Sequence, residues 1–198
     1  MHLAGIIGLQ IPATQALFKA LVPFHLLTCL GLLLFFHTDW NKYALLFFLI
    51  TYSVGFAVEA LGVHTGLIFG QYQYGPTLGP KLIDIPVVIG VNWVILIYSA
   101  GAIGQHWHNS SWIKALIAAA AVTVTDVLIE PVAIRLDFWQ WSGNSVPLQN
   151  YIAWYIVSFG LLRLFYALPF RKDNRLAGLL AGCQVIFFAA HNLIYFIE

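Results

Sequence analysis

Six apolar runs, each near the length needed to cross a bilayer, leave this chain few ways to fold. They lie near residues 16–37, 42–63, 85–104, 112–135, 150–169 and 174–197. A hydrocarbon core of about 30 Å takes about 20 mostly apolar helical residues. Lipid offers no partner to backbone N–H and C=O groups, so spanning segments must pair their own, as helices do. The runs therefore predict an all-α, polytopic integral membrane helical bundle of about six transmembrane helices. Residues 1–12 form either an interfacial turn or a seventh, partial crossing. No repeat, low-complexity stretch or soluble segment divides residues 1–198, so a single membrane domain is expected. Only 9% of the residues are charged, against about 25% in soluble domains. The net charge of +1 comes with no basic block, which excludes nucleic acid as a partner. Cys29 and Cys183 sit in apolar runs and read as small core residues. The N-terminus lacks a charged leader and suggests no cleavable signal peptide. With six crossings, Lys42, Lys114, Arg171, Lys172 and Arg175 fall on one side, and Lys19, Lys81 and Arg135 on the other. That bias makes the first side cytoplasmic and the protein multi-pass in the cell's inner (plasma) membrane.

Ionisable residues inside spans are costly and usually face an interior cavity. Glu59 lies late in the second run. Asp84 stands at the entry to the third, with Asn92 and Trp93 about two turns in. Asp126 and Glu130, spaced i, i+4, share a face late in the fourth. His191 and Asn192 lie late in the sixth. Alternating helix direction gathers all of these in one half of the bilayer, beside two long connections, 64–84 and 136–149. The first connection and its flanks read "EALGVHTGLIFGQYQYGPTLGPKLIDIP". Its glycines (Gly62, Gly66, Gly70, Gly75 and Gly79) permit tight or re-entrant backbone, and Pro76, Pro80 and Pro86 limit helix continuation. Irregular backbone at membrane depth survives only against protein or a cavity. This stretch thus reads as the lid or wall of a site floored by buried acids, with Tyr72, Tyr74 and Trp93 around it. Phe138, Trp139, Trp141, Tyr151, Trp154 and Tyr155 flank the second connection, where an interfacial aromatic belt is the competing reading.

Each acid also has a structural alternative. Asp126 and Glu130 would hold helices together if neutralised by Arg135 or His191, and Glu59 would cap the loop that follows it. Asp84 would serve equally as a helix cap beside Lys81, His64 as a loop hydrogen-bonder, and Asn150 as the cap of the fifth run. Arg163 falls in the opposite half and reads as a snorkelling residue. No metal site is expected. His106 and His108 are only a loop pair, and a site of Glu59, Asp126, Glu130 and His191 lacks a Glu-x-x-His pair on any helix. No phosphate-binding loop, dinucleotide fingerprint or nucleophile frame is present. Proton chemistry remains. A carboxyl in apolar surroundings keeps its proton near neutral pH and can protonate an alkene, and aromatic faces stabilise the resulting cation. Such a cation loses a proton, is captured by an internal alkene, or takes up water.

The same stretch followed by "NW", then "TDVLIEPVAIRLDFWQW" and "VPLQNYIAW", resembles the carotenoid biosynthesis membrane-protein family that contains the carotenoid 1,2-hydratases of the bacterioruberin and γ-carotene type. The likeness runs from about residue 52 to 158. It implies addition of water across the terminal C1–C2 double bond of an acyclic (ψ) carotenoid end, without a cofactor. It carries over Glu59, Asp126 and Glu130 as family-like acids, and Tyr72, Tyr74 and Trp93 as family-like pocket residues. The expected catalytic set is Asp126, Glu59 and Glu130. The expected substrate- and water-binding set is Asn92, Trp93, Tyr72, Tyr74, His191, Asp84, His64 and Trp139. Expected partners are the carotenoid, the lipid bilayer and other enzymes of carotenoid synthesis. The alternatives are an intramembrane cyclase of the lycopene type, and a non-catalytic carotenoid-binding or transport protein.

Overall fold

A computed structural model describes residues 1–143 and 145–197. The chain folds as α1 (His2–Gly8), α2 (Pro12–Ala20), α3 (Val22–Phe35), α4 (Lys42–Thr65), β1 (Tyr72–Tyr74), β2 (Lys81–Leu82), β3 (Ile85–Pro86), α5 (Val88–Gly104), α6 (Ser111–Arg135), β4 (Trp139–Trp141), α7 (Leu148–Ala167) and α8 (Ala177–Ile197). The architecture is an all-α bundle of membrane type, with two short strand pairs confined to its loops.

Among the described residues, α4, α6 and α8 are long and apolar enough to cross a membrane. The pair α2 and α3, bent by 52° at one break, makes a fourth if it is one span. Two of the six expected crossings fall short on this measure. Helix α5 is apolar but has 17 residues, and α7 carries Gln149, Asn150 and Arg163 along its length.

The helices form for identifiable reasons. Asn41 caps α4, its Oδ1 accepting from the N–H of Tyr43 (2.9 Å) and Ala44 (3.1 Å). Gly66, at φ 67°, ends the same helix in the left-handed conformation. Helix α5 is the axis of the bundle and touches α3, α4, α6, α7 and α8. That position explains why it is apolar all round and nearly all buried. Outward faces of α4 and α8 expose Leu45, Leu49, Ile186, Leu193 and Phe196, which suits a hydrocarbon solvent. At the end away from the long loops, His37 ties helices together. Its Nδ1 accepts from the Tyr98 hydroxyl (2.7 Å), and its Nε2–H donates to the Asp39 carbonyl (2.9 Å).

At the other end the two long loops join. Strands β1 and β4 pair antiparallel, with Tyr72 opposite Trp141, Gln73 opposite Gln140 and Tyr74 opposite Trp139. Side chains alternate across such a ribbon. The four rings point inward and are buried, while Gln73 is exposed and Gln140 half-buried. Gly75 lets the loops approach this closely. Its N–H donates to the Phe138 carbonyl (2.8 Å), and a Cβ there would overlap the backbone oxygen of Asp137.

Candidate active site

The ribbon roofs three carboxyls supplied by two helices. Glu59 comes from α4, and Asp126 and Glu130 come from one face of α6. All three are buried, at 3%, 0% and 2% exposure. No ion pair to any of the three is seen among the described residues; the pair of His64 with Asp84 lies elsewhere. Arg135 instead stands over the Tyr195 ring, 4.1 Å from its centroid.

The supply of hydrogen-bond donors to these acids is uneven. Oε2 of Glu59 accepts from the hydroxyls of Tyr72 (2.6 Å) and Tyr74 (2.7 Å), and its Oε1 from the indole N–H of Trp93 (3.0 Å). Oε2 of Glu130 accepts from the indoles of Trp139 (3.0 Å) and Trp141 (2.9 Å). Strand β1 therefore serves one carboxyl and β4 the other. The amide of Asn150, on α7, donates to Asp126 Oδ2 (2.9 Å) and lies 3.3 Å from Glu130 Oε1. Oδ1 of Asp126 is buried and makes no hydrogen bond. Burial and the neighbouring Glu59 charge push the Tyr72 and Tyr74 phenols above their usual range, which keeps both as donors.

Glu59, Asp126 and Glu130 line one small cavity of about 20 Å³, enough for a single water. Its walls also include Phe69, Tyr72, Tyr74, Asn92, Trp139, Trp141, Asn150 and Trp154. Trp93 is buried outside the cavity wall, with its ring stacked on Trp154 at 4.1 Å between centroids and 8° between planes. Gly55 makes room for it on α4, since a Cβ at that position would meet the indole. Asn92, Ile89, Ile129 and Trp139 also line a second, more apolar cavity of about 80 Å³. That one shares His2, Leu9, Val22, His25 and Phe187 with a third of about 260 Å³ beneath α1. Neighbouring apolar cavities thus lie between the acids and the N-terminal helices.

Of the residues singled out from the sequence, the structure brings Glu59, Asp126, Glu130, Tyr72, Tyr74, Asn92, Trp93 and Trp139 together. Three stand apart. Asp84 is exposed at φ 66°, 3.9 Å from a half-exposed His64. His64 bonds back to the Ala60 carbonyl. His191 is buried beneath the N-terminal helices, where its Nδ1 accepts from the Gln10 amide (2.9 Å). Asn150, Trp141 and Trp154 complete the site. The alternation in "YQY" and "WQW" marks a ribbon with two inward rings on each strand, and reading it that way finds Trp141.

Comparisons with known proteins place the chain in a family. A family described as carotenoid biosynthesis protein matches residues 18–197. The bisanhydrobacterioruberin hydratase of Haloarcula japonica is 32% identical over 123 residues, covering 58% of this chain and 41% of that protein. The chain thus matches less than half the length of that relative. No solved structure matches the chain. With nearly the whole chain matched, from before α3 to the end of α8, this protein belongs to the carotenoid biosynthesis protein family.

Proposed function

We propose that this protein hydrates the terminal C1–C2 double bond of an acyclic carotenoid end. The observation that carries the reading is the unequal treatment of three buried acids beside neighbouring apolar cavities. Glu59 and Glu130 each accept from three donors, on both oxygens, whereas Asp126 accepts on one oxygen only. A carboxyl with a free oxygen has room for a proton, so Asp126 is the acid. It gives that proton to the alkene CH carbon, and a tertiary cation develops at the dimethyl carbon. The aromatic wall of Trp154, Tyr72 and Tyr74 stabilises the cation, with Trp93 holding Trp154 in place. Water held between Glu130 and Asn92 attacks. The oxonium proton passes to Glu130, and proton exchange through water restores the acid. The balance is one alkene plus one water to one tertiary alcohol, with no redox change. The name of the Haloarcula japonica relative supports the reaction class.

In this reading the polyene lies in the second and third cavities, with its reacting end against Asp126. All six apolar segments cross the membrane as one domain, α5 and α7 being shielded by their neighbours. The protein sits multi-pass in the inner membrane, in reach of enzymes that make or consume its pigment. Expression in a host that accumulates an acyclic carotenoid, followed by mass analysis of the pigments, tests the proposal. A product heavier by one water supports hydration. A product of unchanged mass with ring ends makes the protein a cyclase. Bound but unaltered pigment makes it a binding protein.

A further inference from the structure

We propose that His2, His25 and Cys29 form a binding site for one zinc-class divalent ion, which clasps α1 to α3 over the apolar cavities. The three side chains present ligand atoms that all lie within 4.8 Å of one another. His25 and Cys29 are spaced i, i+4 and share a face of α3, while His2 reaches in from α1. Two of the spacings already suit a tetrahedral ion. Nε2 of His25 is 3.3 Å from Nε2 of His2 and 3.6 Å from Sγ of Cys29. Zinc bonds of about 2.05 Å to nitrogen and about 2.3 Å to sulfur at the tetrahedral angle place two nitrogens about 3.3 Å apart, and nitrogen and sulfur about 3.6 Å apart.

Hydrogen bonding alone does not satisfy this group. The single in-plane position on His25 Nε2 is approached by both His2 and Cys29, and it serves one of them at a time. One ion satisfies all three atoms. Two imidazoles and a thiolate favour a borderline or soft metal over magnesium or calcium. Binding releases the thiol proton. Cys29 is fully buried, and His2 and His25 line both the second and third cavities, so the ion sits in the wall of those cavities. The acids of the candidate active site are not involved.

The test uses the full chain, purified in detergent without a polyhistidine tag. Elemental analysis after incubation with zinc and desalting is expected to give one equivalent per chain. Cobalt(II), the spectroscopic substitute, is expected to show a thiolate charge-transfer band. Cys29→Ser removes that band. His2→Ala, on a short peripheral helix, weakens cobalt binding at least about tenfold, which is the cost of losing even an outer partner of a metal site. Failure of the wild type to take up metal overturns the proposal, as does an unchanged cobalt spectrum in Cys29→Ser. If Cys29→Ser does not fold, unaltered affinity in His2→Ala overturns it alone.

Discussion

The side-chain amide of Asn150 lies 2.9 Å from Oδ2 of Asp126, while Oδ1 of the same carboxyl faces no donor. Asn150 thus fixes one oxygen, and the proposed mechanism puts the transferable proton on the other. Asp126→Asn keeps the shape and removes the transferable proton. Hydrated product is expected to fall by about 10²–10⁴, the usual contribution of a general acid. The variant remains in the membrane at wild-type level. Pigment mass analysis with an immunoblot checks both.

Asn150→Leu is expected to lower activity and stability together. It strips Asp126 Oδ2 of its donor and places an apolar group against two carboxyls, at a cost of about 1.5–3 kcal/mol. Thermal unfolding in detergent and pigment yield measure the two effects.

Tyr74→Phe removes one of three donors to Glu59, the other two being Tyr72 and Trp93. A loss of about 1.5–3 kcal/mol is expected. Tyr74→Phe combined with Glu59→Gln is expected to cost less than the two single effects added, because both changes act on one bond. A melting-temperature cycle over the four proteins reads the coupling.

Gly75→Ala is expected to open the roof. The added methyl meets the Asp137 carbonyl across the two loops, and relief requires the ribbon to separate. Cleavage by added protease between residues 66 and 87 should rise, while the helices keep their circular dichroism.

Burial holds His37 below its ordinary value of 6.5, against smaller opposing pulls from the carbonyl and charge of Asp39. A group held low in the folded state contributes its stability above 6.5, and that stability is lost as pH falls through the folded value. Protonation also turns Nδ1 into a donor facing the Tyr98 hydroxyl, which now donates to it. The melting temperature is expected to drop between about pH 7.5 and about pH 5. His37→Gln should melt lower but show a flatter pH dependence.

The helices were legible because each spanning run announces itself by length and apolarity, and Glu59, Asp126 and Glu130 because acids in such runs are costly. The partners of those acids were harder to read. Tyr72 and Trp141 are 69 residues apart (141 − 72), and a ladder across that distance leaves no trace in either loop alone. Indoles near a membrane surface resemble a belt, and Trp139 and Trp141 are distinguished from one only by the carboxyl they share. Asn150 opens an apolar helix, where a cap and a bridge to another helix look alike. His191 follows the depth rule, yet it bonds Gln10 because the N-terminal segments fold back across α8, a long-range event. Six runs read as six crossings, whereas α5, with 17 residues, and α7 fall short of the length and apolarity that mark a span, and α5 is packed among five other helices.

The aromatic ribbon stitches both long loops to the acids beneath, so neither flap swings open without breaking contacts to Glu59 or Glu130. In the proposed mechanism a molecule meeting Asp126 therefore comes in from the side, between helices, and leaves the same way. On that reading only the tip of a long rod meets the acids, so a symmetric substrate leaves, turns end for end and returns before its second tip is processed.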